Sequence, residues 1–147
     1  MRVIGGEFRS RLLKSIPGVD VRPTPDRLRE ALFNVLAHRI GGAVFADVYA
    51  GTGAVGIEAL SRGAARAIFI EQDRNALAVI RANLKSLGLD GRAQILQGRA
   101  RATLPALKAD IVFIDPPYRL ERDYTSALEI LGAGTVPLAI LQHDIRL

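Results

Sequence analysis

Three short stretches carry residue types and spacings that could do chemistry. Ile111-Val112-Phe113-Ile114 runs straight into Asp115-Pro116-Pro117-Tyr118. Four apolar, strand-favouring residues deliver the chain to a sheet edge, and two prolines then forbid it to continue as strand or to start a helix. A stiff corner results, carrying a carboxylate, main-chain carbonyls and an aromatic ring. It suits a flat substrate that bears an amine. The second stretch, Asp47-Val48-Tyr49-Ala50-Gly51-Thr52-Gly53-Ala54-Val55-Gly56, matches G-x-G-x-x-G at Gly51, Gly53 and Gly56. The missing side chains let the backbone turn tightly and approach a ligand, and the third glycine lets a helix pack on a strand. The third stretch ends at Glu71, twenty residues after Gly51. An acid at the tip of a second strand can take both ribose hydroxyls of an adenosine. Loop and acid together indicate a nucleoside-containing cofactor.

Asp47 bears on which cofactor that is. A dinucleotide pyrophosphate favours a helix N-terminus without a nearby negative charge, whereas a ligand with a positive amino group favours Asp47. S-adenosylmethionine has an ammonium, a sulfonium and a ribose, and no phosphate. The alternative, that Asp47 only caps the loop, stays open at this level.

These residues need a scaffold, and the hydrophobic pattern supplies one. Strands are expected at residues 43–49, 67–71, 93–97, 111–114 and 136–142. Helices are expected near 53–62, 74–87, 101–107 and 122–131 between them. Strict alternation implies right-handed crossovers and a parallel sheet covered on both faces. Upstream, Thr24 is the expected N-cap of another helix, with Pro25 at its first position and Asp26 at the positive end of its dipole. Leu28, Leu32, Val35 and Leu36 then recur at helical spacing to about Arg39, and Gly41-Gly42 ends the helix. Residues 2–16 are expected to form a short β-hairpin that packs on, or swings from, the main body. Two segments follow: a basic N-terminal extension over residues 1–22 and one α/β domain over 23–147.

Composition sets outer limits. Hydrophobic residues are 49% of the 147, enough for one substantial core. There is no cysteine, which removes thiolate chemistry and a disulfide framework. His38 and His143 lie far apart without further zinc ligands, so no metal is expected. No signal-peptide pattern or membrane-length apolar run stands out, so a soluble, cytoplasmic protein is expected. The net charge is +5, and residues 1–30 concentrate arginine, whose fork can bind two phosphate oxygens. Charge therefore favours a nucleic-acid partner over an ordinary solvated surface.

The combination Asp47-x-x-x-Gly51-Thr52-Gly53, Glu71 and Asp115-Pro116-Pro117-Tyr118 resembles Rossmann-like class I S-adenosylmethionine-dependent methyltransferases that modify amines. Further segments are similar to the bacterial family that methylates the N2 amine of a guanine in small-subunit (16S) ribosomal RNA. They are Arg2-Val3-Ile4-Gly5-Gly6, Arg9-x-Arg11, Arg22-Pro23-Thr24-x-Asp26-Arg27-x-Arg29-Glu30-x-Leu32-Phe33-Asn34 and Ala54-Val55-Gly56-Ile57-Glu58-Ala59-Leu60-Ser61-Arg62-Gly63-Ala64. The match covers residues 2–118. The resemblance implies a three-layer α/β/α fold with a mostly parallel sheet. Members usually continue through a final β-hairpin that completes a seven-stranded sheet; this sequence reads to five parallel strands, so a sheet without that hairpin is expected.

The same resemblance implies a cofactor cleft made by Asp47, Ala50, Gly51, Thr52, Gly53, Glu71 and Gln72, with Arg99 and Ala100 after the third strand and Thr24 at its rim. Arg99 stands where such enzymes often carry Asp or Asn against the adenine amine. Asp115, Pro116, Pro117 and Tyr118 would form the catalytic corner. Arg2, Arg9, Arg11, Arg22, Arg27, Arg29 and Arg119 would hold RNA phosphates. The implied partner is ribosomal RNA or an assembling small subunit, met by a monomer or weak dimer. Three rival functions remain: adenine-N6 methylation of DNA, RNA binding without catalysis, and nicotinamide-dependent oxidoreduction, the last lacking any Ser/Tyr/Lys or His constellation to handle hydride chemistry.

Overall fold

A computed structural model describes residues 1–17, 26–116 and 138–141. The expected helix at 122–131, and Arg22, Thr24, Pro117, Tyr118 and Arg119, lie outside the described residues. Among the described residues five strands form one parallel sheet: β1 (Val44–Val48), β2 (Arg66–Glu71), β3 (Ala93–Gln97), β4 (Ile111–Ile114) and β5 (Leu138–Leu141). Their order across the sheet is β3-β2-β1-β4-β5. β1 is therefore central, and the chain winds outward from it in both directions. The helices are α1 (Asp26–Val35), α2 (Ala54–Ser61), α3 (Arg74–Ser86) and α4 (Ala100–Thr103). This is the parallel sheet covered on both faces that the alternating pattern implied, in the Rossmann-like arrangement that the resemblance implied.

Side-chain parity along the strands divides the core in two. Phe45, Ala67, Phe69, Ile111 and Phe113 point to the face covered by α1, α2 and α3. Ala46, Val48, Ile68, Ile70, Val112 and Ile114 point to the other face, where Ala100, Leu104 and Leu107 cover them. Strands buried on both faces need the continuous apolar runs seen here. By the same parity Asp47 and Glu71 emerge on the α2/α3 face, and Asp115 continues the phase of Ile111 and Phe113.

Local chemistry explains the helix ends. Asp73 caps α3, its Oδ2 accepting from the Ala76 amide at 2.9 Å, a contact worth about 1 kcal/mol. The helix expected over 101–107 starts at Ala100 and passes into a 3₁₀ turn at Leu104–Ala106. Pro105 lacks the amide that would continue the α-helical ladder.

Two expectations are corrected. The apolar face of α1 is rotated from the one assigned by spacing: Val35 is 79% exposed and Leu28 is exposed, while Phe33 and Arg29 are buried. The first sixteen residues are not a regular hairpin. A single antiparallel bridge pairs Arg2 with Leu12, flanked by Val3 N–H to Arg11 O and Leu13 N–H to Met1 O. Between these, Gly6 and Ser10 take positive φ, and the backbone turns away from strand geometry. Its amides instead find partners on α2. Ile4 and Gly5 N–H donate to the Glu58 carboxylate, and Phe8 N–H to Ser61 Oγ. Val3 and Leu13 are buried in the main core, so this arm packs on the body.

Candidate active site

The site lies where β1, β2 and β4 end. Val48 pairs with Ile70 on one side and with Ile114 on the other. The turns that follow all three strands therefore start at the same level, and the glycine loop lies between the other two.

That loop turns sharply. Tyr49, Gly51 and Gly53 all take positive φ. A Cβ at Gly51 would meet nothing within 4 Å, so this glycine leaves open space beside the backbone, as a close-approaching ligand requires. Gly56 serves a different purpose. A Cβ there would collide with Phe69 Cε1, so α2 can pack on β2 only without a side chain at that position. First and third glycines thus divide the two jobs the spacing suggested.

Glu71 organises the rim. Its Oε1 accepts from Gly51 N–H at 2.9 Å, and its Oε2 accepts from the amides of Gln72 and Asp73, each at 2.9 Å. The carboxylate is oriented by three main-chain donors, one of them in the glycine loop, and remains half-exposed. A cleft beside it is lined by Tyr49, Ile70, Glu71, Gln72, Gly98, Arg99 and Ala100. Four expected cofactor residues, Glu71, Gln72, Arg99 and Ala100, therefore meet on one wall. Tyr49 was not anticipated; a bulky residue in the left-handed region leaves no mark in composition or spacing.

Asp47 lies deeper. It is 2% exposed, and its Oδ2 accepts from Gly56 N–H at 2.9 Å, near the start of α2. The capping role left open above is thus present in the structure. Burial pushes its carboxyl well above the ordinary carboxylate range; the Gly56 hydrogen bond opposes this, and the negative charges of Asp115 and Glu71 add to it. The negative charges of Asp115 and Glu71 meet around Asp47 at one sheet edge, a field that favours a cation. Asp115 and Pro116 are half-exposed just past β4, and the Asp115 amide lies 3.5 Å from Val48 O.

The basic residues divide. Arg2, Arg9, Arg11 and Arg27 are exposed. Arg29 is not, and its expected role in phosphate binding is corrected: its side chain is fully buried. Its Nη2 donates to Arg2 O at 2.9 Å and to Asp26 Oδ1 at 2.7 Å. Its Nη1 lies 3.5 Å from Glu58 Oε1 without hydrogen-bond geometry, so that contact is coulombic. Glu58 is also fully buried and accepts from Ile4, Gly5 and Arg62 Nε. A buried acid in α2, where every residue is buried, is a signal that sequence periodicity could have raised. Among the described residues no cluster of three metal-ligating side chains occurs, and no helix is long and apolar enough to cross a membrane.

Comparisons with known proteins agree on one family. A family model described as Conserved hypothetical protein 95 matches residues 1–136. A putative rRNA methyltransferase YlbH of Bacillus subtilis is 39% identical over 127 residues, covering 83% of this chain and 69% of the relative. Ribosomal RNA small subunit methyltransferase D of Escherichia coli K12 is 44% identical over 121 residues, covering 81% of this chain; the chain spans 61% of that relative's length. The solved structure of a putative methyltransferase yhhF from Escherichia coli superposes with a TM-score of 0.84 at 38% identity, over 100% of this chain and 84% of that one.

Proposed function

We propose, for a chain that belongs to the family of Conserved hypothetical protein 95, that it transfers a methyl group from S-adenosylmethionine to the exocyclic N2 amine of a guanine in small-subunit ribosomal RNA. The observation that carries this is the pairing of Val48 with Ile114, which seats the Asp115-Pro116 corner directly beside the glycine loop. Relatives described as ribosomal RNA methyltransferases support the substrate class.

The residues present fit the methyl donor. Open space at Gly51, an oriented acid at Glu71 and an acidic strand edge suit an adenosine that carries positive charge. Glu71 would hold the ribose, Gln72, Arg99 and Ala100 would flank the base, and Asp47 would face the charged end. The donor supplies an electrophilic methyl on a sulfonium, already a good leaving group. The chain's own task is to place a weak nucleophile in line, because an exocyclic amine delocalises its lone pair into the ring. The Asp115 carboxylate and the Pro116 carbonyl accept from the amine N–H groups. They orient the lone pair and stabilise the charge that develops on nitrogen. Tyr118 stacks on the base, a contact worth about 1–3 kcal/mol in single-strand binders. The guanine enters unstacked or flipped. Exposed Arg2, Arg9, Arg11 and Arg27, with Arg22 and Arg119, hold phosphates nearby, in the cytoplasm where ribosomes assemble.

The test is transfer of labelled methyl from S-adenosylmethionine to naked RNA, assembled small subunits and DNA in parallel, followed by identification of the nucleoside. N2-methylguanosine in RNA is expected. Methylated adenine in DNA, or binding of RNA with no transfer, would overturn the proposal. Asp115→Ala should lower transfer by at least 100-fold, an electrostatic effect of about 3 kcal/mol, and leave binding of S-adenosylhomocysteine intact.

A further inference from the structure

Asn83 lies in the interior of α3, 1% exposed, on the face where Leu77, Ile80 and Leu84 enter the core. Apolar residues fill that face otherwise, and a mid-helix asparagine is a poor helix former. Its hydrogen bonds explain its presence. Nδ2 donates to Thr52 O at 3.1 Å and to Lys14 O at 3.2 Å, and Oδ1 accepts from Lys14 N–H at 2.7 Å. All three partners are main-chain atoms of other segments. The chemistry of those partners also fixes the amide's orientation, since two are acceptors and one is a donor.

The two segments so joined are the glycine loop and the N-terminal arm. Thr52 stands between Gly51 and Gly53, both at positive φ, so the peptide between Thr52 and Gly53 has few side-chain constraints of its own. Its N–H end donates to Ala50 O at 2.8 Å, and its carbonyl end is held by Asn83. The arm reaches the same residue independently: Met1 Sδ lies 4.0 Å from Thr52 Oγ1. Further along, Ile16 packs with Ala76 and Val79 of α3, and Arg11 Nη2 donates to Ser86 O at 3.3 Å. The arm therefore lies along α3, with one end on the middle of the loop, while Arg9 and Arg11 stay exposed.

We propose that Asn83 is a positioning residue that couples the glycine loop to the N-terminal arm, so that donor binding at the loop and docking of the basic arm stabilise each other. A donor that fixes the loop peptide fixes the carbonyl that Asn83 reads, and Asn83 passes that restraint to the Lys14 peptide. By linkage, a nucleic-acid phosphate that holds the arm down tightens donor binding by the same factor. The inference rests on the assignment of the loop to S-adenosylmethionine and extends it to how donor and nucleic acid strengthen each other's binding.

Hydrogen exchange at the Leu13 amide of the full chain, with and without saturating S-adenosylhomocysteine, tests this. Leu13 N–H donates to Met1 O inside the docked arm. Exchange should slow about tenfold on binding, within the range usual for linked sites. Asn83→Ala should remove that response and weaken S-adenosylhomocysteine binding by the same factor. Lys14→Pro, which deletes the amide that Asn83 accepts from and leaves only its bond to the residue-14 carbonyl, should weaken both effects, whereas Lys14→Ala, which keeps the amide, should not. The Lys14 pair leaves the core untouched and decides the matter should Asn83→Ala not fold. S-adenosylhomocysteine that binds without slowing Leu13, or a response undiminished in Lys14→Pro, overturns the coupling alone. Failure to bind S-adenosylhomocysteine overturns the donor assignment and the coupling together. A coupled arm on a chain that methylates no RNA overturns the substrate and leaves the coupling standing.

Discussion

Glu58→Gln is the most informative single change. Glu58 is fully buried and serves both amides of Ile4 and Gly5, the Arg62 guanidinium and the Arg29 guanidinium. Glutamine keeps the shape and one acceptor oxygen, so it creates no cavity. It removes the charge opposite Arg29 and turns an N–H₂ toward a donor. Breaking a buried pair by removing one partner costs about 3–5 kcal/mol. Arg29 keeps Asp26 at 2.7 Å, although Asp26 is largely exposed and so partly screened. The low end, about 3 kcal/mol, is therefore expected, out of a total of about 5–15 kcal/mol for a domain. At about 2–4 °C per kcal/mol for a chain of this size, Tm should fall by roughly 6–12 °C. Urea unfolding followed by circular dichroism gives the free energy, and tryptic cleavage of the arm at Arg9 and Arg11 reports undocking. A loss under about 1 kcal/mol would refute the reasoning. So would additivity with Arg29→Met, because residues in one buried network should couple by about 0.5–3 kcal/mol.

Two further outcomes follow from the site. Asp47 has a carboxyl pKa raised by folding, so the folded chain holds that proton more tightly than the unfolded one. The stability Asp47 contributes is full below the ordinary carboxylate pKa and is lost as pH rises through the elevated value. Asp47→Asn, which still accepts from Gly56, should thus have a higher Tm than the parent at pH 7–8, with the gap closing toward about pH 4. A melting series across that range checks it, and a parent that is the more stable at pH 8 contradicts it. Gly56→Ala should lose about 2 kcal/mol: overpacking near the top of its usual range of about 1–3 kcal/mol, less about 1 kcal/mol from replacing a helical glycine. Phe69→Leu in the same chain should recover part of that loss in urea unfolding, because the clash is with the Phe69 ring.

Much of the fold was legible because its determinants are local. Apolar runs of strand length alternate with helical periods, and the glycine loop punctuates them at fixed offsets. The parallel order and the meeting of Asp47, Glu71 and Asp115 at one edge then follow from crossover handedness and strand parity. The arm was less legible. Val3-Ile4 and Leu12-Leu13 read as hairpin ends, but the amides of Ile4, Gly5, Glu7 and Phe8 are satisfied by Glu58 and Ser61, more than fifty residues away in sequence. No local pattern carries such a partner.

Arg29 shows the same division in one residue. By sequence it is one base in an arginine-rich block, and charge density assigns it to phosphate. Spacing assigned the inward face of its helix to Leu28, Leu32, Val35 and Leu36 and left Arg29 off it. Only the packing of α1 on α2 brings Glu58 opposite it, and a buried acid makes a buried arginine tolerable. Which residues alternate, which loop stays free of side chains and which acids end the strands can be read along the chain, since these depend on near neighbours in it. Tertiary structure alone decided that Glu58 and Asn83 tie the N-terminal arm to the helices beneath the site, because hydrogen bonds spanning up to sixty-nine residues exist only once the sheet has brought those helices together.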